Sequence, residues 1–243
     1  MSFSNIGSAE GIFAAVTSAS DTTTVAVPDL ATQSIGIVCA IIQVGTLTIT
    51  TATWGGSAMT EGVRIEGTTE DVVIFYLANP PDNANRDIVV SYAASAIHTA
   101  HIVVAWADAG AAVTLDDTSS TSGTIQNPVI TSTQAGTNEL VISASATSAN
   151  AISVPSTTDC TELQSYDSGG RCSLAAYSIP AGSGNVNHTH NYSESGTYAI
   201  ASVSFKEAAG PGGATYPGYY GPSGYFSFIL WIGLLSGIIA FPR

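Results

Sequence analysis

Short apolar runs separated by polar turns dominate the first 208 residues, and this pattern favours β-strands over helices. Ser34 to Val44 is apolar almost without a break, which predicts a strand buried on both faces. Thr46 to Thr50 alternates polar and apolar residues, which predicts a half-exposed strand. Turn signals recur roughly every 8–15 residues, as in sandwiches and jelly rolls. We therefore predict an all-β fold, an antiparallel β-sandwich or jelly-roll-like architecture.

The order of these runs repeats after about 100 residues, which is the signature of an internal duplication. Val72 to Pro81, a polar loop and Asp87 to Tyr92 are followed later by Cys172 to Pro180, a Gly/Ser/Asn loop and Val186 to Tyr192. The matched positions are Pro80 with Pro180, Tyr92 with Tyr192, Gly110 with Gly210 and, after one slipped residue, Trp106 with Phe205. We expect residues 72–110 and 171–210 to form the same strand–loop–strand unit.

The repeat predicts a division of the chain into segments. Residues 1–29 are an N-terminal arm and first strand, and residues 30–115 and 116–208 are related β-sandwich halves of about 100 residues each. The polar stretch from Asp116 to Gly123 is expected to be the loop between them.

The composition changes after residue 208. Residues 209–224 form a Gly/Pro/Tyr linker, and residues 225–243 carry no charge before Arg243. As a helix, residues 225–241 would reach about 26 Å, slightly less than the ~30 Å hydrocarbon core of a bilayer. We predict a hydrophobic C-terminal helix that is buried against copies of itself or another protein, with a membrane anchor as the alternative. The residues expected to make these contacts are Tyr225, Phe228, Trp231, Gly233, Gly237 and Phe241.

Charge excludes several classes of partner. The net charge is −13, and Lys206 is the only lysine. Nucleic acids and anionic lipid surfaces are both bound through clusters of basic residues, so neither is an expected partner. Charged residues make up only 9% of the chain. A surface of Ser, Thr and Ala is buried without desolvating ion pairs, so we expect a homo-oligomer, with a trimer as the first choice.

The candidate metal ligands are few, and we predict no cofactor. His188 and His190 lie on one face of a strand because side chains alternate along it. A zinc site needs three or four ligands, so a polar strand face is the favoured interpretation. Asp116 and Asp117 carry carboxylates suited to calcium but lack the spacing of a calcium loop, and a solvated turn is favoured.

No catalytic constellation stands out, and we predict a non-enzymatic protein. The sequence has no Gly-x-Ser-x-Gly nucleophile elbow. The acidic residues Glu61, Glu66, Glu70 and Asp71 are expected to be solvated on loops. The aromatic residues are interpreted as core fillers. Cys39 is expected to be a buried apolar residue, whereas Cys160 and Cys172 are either disulfide-bonded across a hairpin or free.

Four segments in this order resemble the two-lobed β-sandwich virion-surface proteins of phages and prophages. The segments are Thr53 to Thr60, Phe75 to Pro80, Asn138 to Ile142 and Ala201 to Ala208. The resemblance covers residues 30–208 and implies a head decoration, head fibre or tail-associated protein with no catalytic residues. The hydrophobic C-terminus is not part of the family pattern.

The function expected from sequence is therefore structural. We predict a component of a virus particle, assembled in the host cytoplasm, that acts by self-association and by contact with other virion proteins. The N-terminus lacks the basic and apolar regions of a signal peptide, which agrees with this interpretation. The alternatives are a carbohydrate-binding module that contacts surface glycans and a double jelly-roll-type capsid protein whose residues 225–241 contact an internal membrane.

Overall fold

The computed structural model describes residues 3–44, 47–67, 69–148, 156–167 and 171–208. The linker at 209–224 and the hydrophobic segment at 225–243 lie outside the described residues, so the expected C-terminal helix stays a prediction. The described chain is all-β, and every strand pair in it is antiparallel. No helix in this part of the chain is long and apolar enough to cross a bilayer.

The strands form a first half, β1 to β7, and a second half, β8 to β15. The first half contains β1 (Ser4–Val27), β2 (Ser34–Val44), β3 (Ile49–Trp54), β4 (Ser57–Ala58), β5 (Thr60–Glu66), β6 (Asp71–Ala78) and β7 (Ala84–Asp108). The second contains β8 (Val113–Ile125), β9 (Val129–Gln134), β10 (Leu140–Thr147), β11 (Ser156–Thr158), β12 (Thr161–Asp167), β13 (Cys172–Ser178), β14 (Gly184–Asn191) and β15 (Gly196–Glu207).

Sheet A contains all strands of the first half, in the order β4-β3-β7-β2-β6-β5, with β1 also paired to β7. The strand β7 has 25 residues, and its two ends pair with different neighbours. Its first part, near Val90, pairs with β3, whereas its last part, near Val104, pairs with β2. The long strands β1 and β7 therefore run through both walls of this half. The space between the walls is filled by apolar side chains that include Val38, Trp54 and Phe75.

The second half repeats the strand pairings of the first half, but its strands belong to two separate sheets. Sheet B has the order β12-β13-β10-β15-β8, and sheet C has the order β11-β14-β9. Strand β10 lies between β13 and β15, as β2 lies between β6 and β7. Sheet C pairs β14 with β9 and β11, as the first part of β7 pairs with β1 and β3.

A shared apolar core lies between sheet A and sheet B. It contains alternate residues of β2, such as Ile35 and Ile37, and alternate residues of β10, such as Leu140 and Ile142. Phe205 is fully buried there and meets Tyr76 edge-on, with ring centroids 5.2 Å apart. The opposite faces of both strands are also buried, which confirms the predicted two-sided burial of Ile35 to Ile42.

The two halves also share a local irregularity. The pairing of β5 with β6 shifts between Glu61 and Val63, and the pairing of β12 with β13 shifts between Glu162 and Gln164. The extra residues are Gly62 and Leu163. A Cβ on residue 62 would lie 3.1 Å from the side chain of Val203 in the shared core, so glycine at this position leaves room for Val203.

One sequence expectation about the strands is wrong. The stretch from Asp116 to Gly123 is not a loop between the halves but part of β8, which pairs with β15 from Val113 to Ile125. The strand is rich in Ser and Thr because β8 is an edge strand of sheet B and much of its surface is in solvent. Residues 4–27 form one strand, β1, within the segment expected to hold an arm and a first strand.

The matching of Trp106 with Phe205 is also wrong. Trp106 packs against the core inside the first half, whereas Phe205 lies in the shared core between the sheets. The strand registers instead place Ala107 at the position of Phe205, since both lie on the face of the shared core. The one-residue error changes the face because side chains alternate along a strand.

The shared core predicts a large effect of truncating Phe205. We expect Phe205→Ala to lower the free energy of unfolding by about 3–5 kcal/mol, because it leaves a cavity between the sheets. Ile97→Ala serves as the control, since Ile97 is 67% exposed, and should change stability by less than about 0.5 kcal/mol. Urea denaturation followed by tryptophan fluorescence measures both. Equal effects of the two variants would contradict the assignment of the core.

Candidate functional site

The layer between sheet B and sheet C is polar, although it is as buried as the apolar layer of the first half. His188 and His190 of β14 point into it from sheet C, and Ser143 and Ser145 of β10 meet them from sheet B. The strand registers place Ile88 and Val90 at the corresponding positions in the first half, where the layer is apolar. The second half thus holds its outer sheet with hydrogen bonds where the first half uses hydrophobic contacts.

The buried polar groups form one continuous chain, which we call the hydroxyl–imidazole chain. It runs through Ser178, His188, Ser143, His190, Ser145 and Tyr192. The heavy atoms of Ser178 Oγ and His188 Nε2 lie 2.7 Å apart, and His188 Nδ1 lies 2.7 Å from Ser143 Oγ. Ser143 Oγ also lies 2.8 Å from His190 Nε2.

Every inner member of this chain is satisfied when both histidines are neutral. If Ser178 donates to His188 Nε2, then His188 Nδ1–H donates to Ser143, and Ser143 donates to His190 Nε2. His190 Nδ1–H then donates to Ser145, and Ser145 donates to Tyr192. The reverse order is equally complete because a hydroxyl both donates and accepts and a neutral imidazole does the same. The chain therefore has two neutral proton arrangements.

Burial favours the neutral histidines. It lowers the pKa of His188 to about 4. It also lowers the pKa of His190 to about 3, with a smaller contribution from repulsion by His188. No carboxylate in the described part of the chain forms a hydrogen bond with either ring, so no nearby negative charge offsets the cost of protonation.

The candidate metal ligands lie in ordered strands, where they contact protein groups and do not form a metal centre. His188 and His190 lie on one inward face, as expected, yet their nitrogens are bound to serine hydroxyls. The carboxylate of Asp117 accepts the backbone N–H of Thr133, and Asp116 pairs with Lys206 and accepts the N–H of Ala135. These aspartates thus join β8 to β9. Within the described ranges, no group of three or more His, Cys, Asp or Glu residues is arranged to hold a metal ion.

A second buried set has the connectivity of a catalytic triad. Ser173 Oγ accepts a hydrogen bond from Gln43 Nε2 at 2.8 Å, so its own proton is free to bind His101 Nδ1 at 2.7 Å. His101 Nε2 then donates to Glu10 Oε2 at 2.8 Å. Ser173 and His101 have no exposed surface, so the hydroxyl is closed off from solvent. The set links the two sheets at the edge of the shared core.

His98 belongs to a third polar set, away from the other histidines. Its Nε2 lies 2.8 Å from Asp21 Oδ2, and Tyr92 donates to the same carboxylate oxygen at 2.7 Å. Ser18 donates to the other oxygen of Asp21. The set fastens β1 to β7 where the register of their pairing shifts, between Ser18 and Ser20. His98 and His101 therefore do not join His188 and His190 in one site.

Three of the four acidic residues near residue 65 lie on strands, and the fourth is buried on the β5–β6 loop, which corrects the expectation of solvated loops. Glu61 and Glu66 lie on β5, and both form ion pairs with Arg64. Asp71 begins β6, and burial raises its pKa to about 6. Glu70 is fully buried and accepts hydrogen bonds from Thr69 and Thr197. These carboxylates lie in strands and packing contacts.

None of the cysteines Cys39, Cys160 and Cys172 forms a disulfide. Cys172 lies opposite Asp167 in the strand register, at one end of the β12–β13 hairpin. Cys160 lies just before β12, at the other end of the hairpin. At 3.3 Å per residue the two lie roughly 20 Å apart, too far for a disulfide. Cys39 is fully buried in the shared core, as predicted.

The hydroxyl–imidazole chain reaches an open groove at Ser178. The groove has a volume of about 530 Å³ and lies where β13 ends and β14 begins. Pro180, Asn185, Asn187 and Asp159 contribute to its walls. It is the place where the buried polar layer meets solvent-accessible space, and we take it as the candidate functional site.

Comparison with known proteins gives no match: no protein-family model, no curated protein and no solved structure resembles this chain. The resemblance to virion-surface proteins therefore stays a prediction.

Sequence reasoning identified the two histidines of β14 but not their partners. Ser143 and Ser145 lie more than 40 residues earlier and look like ordinary strand residues. One signal was available: the polar alternation in Val141 to Thr147 marks a face that would be unfavourable to bury without partners. The set of Ser173, His101 and Glu10 left no local signal, because its members come from three distant strands.

The lowered histidine pKa values predict a loss of stability in acid. In the unfolded chain His188 and His190 bind a proton at about pH 6.5, whereas in the native protein they do so only near pH 4 and pH 3. The part of the unfolding free energy that comes from keeping these histidines neutral is fully present above pH 6.5 and is lost as the pH falls from 6.5 towards 3. Each pKa unit corresponds to about 1.4 kcal/mol, so the loss should amount to a few kcal/mol by pH 4.

The variant His190→Gln tests this assignment, since glutamine keeps a donor and an acceptor but does not titrate. The slope of unfolding free energy against pH between 6.5 and 4 should decrease in this variant and stay unchanged in the exposed control Asn187→Gln. Asp71 acts in the opposite direction in this range, but it is common to all three proteins and cancels in the comparison. An unchanged slope in His190→Gln would refute the assignment.

Proposed function

We propose that this chain is a non-enzymatic structural protein of a phage particle, displayed on its surface as a decoration, fibre or spike protein. It acts by self-association and by contact with other virion proteins. The observation that carries the proposal is the burial of the reactive groups. The serine of the triad-like set has no exposed surface, and the two histidines of β14 are committed to neutral hydrogen bonds.

The one serine of the hydroxyl–imidazole chain that lines the groove also fits a structural role. Ser178 binds His188, but burial lowers the pKa of His188 to about 4, so the imidazole is a poor base near neutral pH. Cys160 is an unsuitable nucleophile for a related reason, since burial raises the pKa of its thiol to about 11.

The layered architecture supports the interpretation as two related β-sandwich halves. Both halves have a central strand between the same kinds of neighbours, and both have a bulge at the same place, Gly62 in one and Leu163 in the other. Each half alone would leave one face of its main sheet in solvent. The alternative as a double jelly-roll-type capsid protein rests on the same observation, and the number of copies per particle separates the two.

Self-association is supported by the surface. The surface includes large apolar side chains at Ile97, which is 67% exposed, and at Ile125, which is 50% exposed. The net charge of −13 repels other copies at low ionic strength. We therefore expect the homo-oligomer, with a trimer as the first choice, to form more completely at physiological salt than at low salt.

A fluorophosphonate probe tests the absence of enzymatic chemistry. Such probes label serines that a neighbouring base activates. We expect no labelling of Ser173 or Ser178 by peptide mass spectrometry, with an active serine hydrolase as the positive control. Stoichiometric labelling of Ser178 that disappears in Ser178→Ala would overturn the proposal.

A second test separates the folded part from the predicted attachment segment. The described strands close their own cores by residue 207, and the backbone of Ala208 still donates to Ala112. A chain that ends at Ala208 should unfold within about 1 kcal/mol of the full-length protein but should no longer form the oligomer or attach to its particle. Native mass spectrometry and urea denaturation measure the two properties. Unfolding of the shortened chain would show that residues 209–243 belong to the fold.

A further inference from the structure

The groove beside Ser178 has a filled counterpart in the first half. Strand β3 ends at Trp54, which is fully buried, and its indole N–H donates to the carbonyl of Pro81 at 2.9 Å. The register of β3 with β7 matches that of β11 with β14, so Thr53 and Thr158 occupy corresponding positions. The indole lies close to the β6–β7 turn, and the corresponding β13–β14 turn forms the wall of the groove.

The second half has no large side chain at this place. Asp159 occupies the position of Trp54, and β12 begins two residues after it, whereas β5 begins six residues after Trp54. Asp159 has a φ of 66°, in the left-handed region that aspartate tolerates better than most residues. With an aspartate in place of the tryptophan, the space that an indole fills in the first half is open as the groove. A groove of about 530 Å³ lies within the range of small-molecule sites in proteins.

Fixed amide groups stand along one wall. Thr131 Oγ1 donates to Asn187 Oδ1 at 2.7 Å, and Thr133 Oγ1 donates to Asn185 Oδ1 at 3.2 Å. These hydrogen bonds hold both side chains in place, and the amide N–H groups of the two asparagines are donors that a ligand can use. Asp159, which also lines the groove, adds an acceptor.

Ser178 adds a hydroxyl that adapts to its partner. In one proton arrangement of the hydroxyl–imidazole chain, Ser178 donates to His188, and its oxygen accepts from a ligand. In the reverse arrangement His188 donates to Ser178, whose proton is then free for the ligand. A sugar hydroxyl has the same dual character, so either orientation of the ligand finds a match.

The remaining lining limits the ligand to a neutral molecule with an apolar face. Of the described residues that line the groove, Asp159 is charged and none is basic, so an anionic ligand would be repelled. Pro180 and Val186 offer carbon surface against which the C–H face of a ring can pack. A pyranose ring combines this face with a rim of hydroxyls and is of similar size to an indole.

We propose that the groove formed by Asp159, Ser178, Asn185 and Asn187 binds one neutral pyranose unit of a glycan. Binding needs no chemistry, so the site is compatible with a structural protein that contacts a carbohydrate-coated surface. The proposal does not depend on the virion role, and its failure would leave that role untouched.

Saturation-transfer NMR on the full-length chain tests the proposal. The probes are the methyl pyranosides of glucose, galactose, mannose and N-acetylglucosamine at millimolar concentration, with N-acetylneuraminic acid as an anionic comparison. We expect saturation transfer to at least one neutral pyranoside and none to the anionic sugar. Asn185→Ala and Asn187→Ala should each weaken binding about tenfold, because each removes a hydrogen-bond donor.

The internal repeat provides a matched control. Asn85 occupies the position in β7 that Asn185 occupies in β14, and both are exposed, but in the first half the buried indole of Trp54 lies against the β6–β7 turn. Asn85→Ala should therefore bind the sugar as the unchanged protein does. The proposal is overturned if no neutral pyranoside binds, if the anionic sugar binds more strongly, or if Asn85→Ala and Asn185→Ala have equal effects.

Discussion

Burial on both faces of the central strands is the constraint on which this structure depends. Strands β2 and β10 have no face in solvent, so each needs a packing partner on both sides. The sheets supply one partner to each other through the shared core, in which Ile37, Ile142 and Phe205 meet. The second partner has to come from within each half, and the long β1–β7 ribbon and sheet C provide it. The order of layers follows from this requirement.

The two halves meet the second requirement with different chemistry. In the first half, Val38, Val90 and Trp54 fill the layer with apolar volume, which holds the walls together without directional demands. In the second half, Ser143 binds two imidazoles at once, and each hydrogen bond depends on the position of its neighbours. A polar layer of this kind tolerates fewer strand registers than an apolar one, since a shifted strand leaves buried polar atoms without partners. The position of sheet C therefore depends more on directional hydrogen bonds than on the burial of apolar surface.

The sequence predicted the class of fold and the character of single strands better than it predicted their partners. The unbroken run from Ile35 to Ile42 indicated a strand buried on both sides, because no polar residue interrupts it until Gln43. The polar run from Asp116 to Gly123 was misinterpreted as a loop, since an edge strand with one solvated face resembles a turn in composition. The alternation of His188 and His190 showed that they share a face, but not that the face is buried. That fact depends on Ser143, Ser145 and Ser178, whose hydrogen-bonding role appears only when distant strands are paired.

The hydroxyl–imidazole chain has a property that its heavy atoms do not reveal. Its two proton arrangements have opposite dipoles, and they differ in which nitrogen of each imidazole carries the proton. Conversion of one arrangement into the other needs a proton transfer at every link, with one proton gained at one end of the chain and one lost at the other. Ser178 lines the groove, whereas Tyr192 is buried, so one end of the chain is open to exchange and the other is enclosed. A group that donates to Ser178 matches one arrangement, and a group that accepts from Ser178 matches the other.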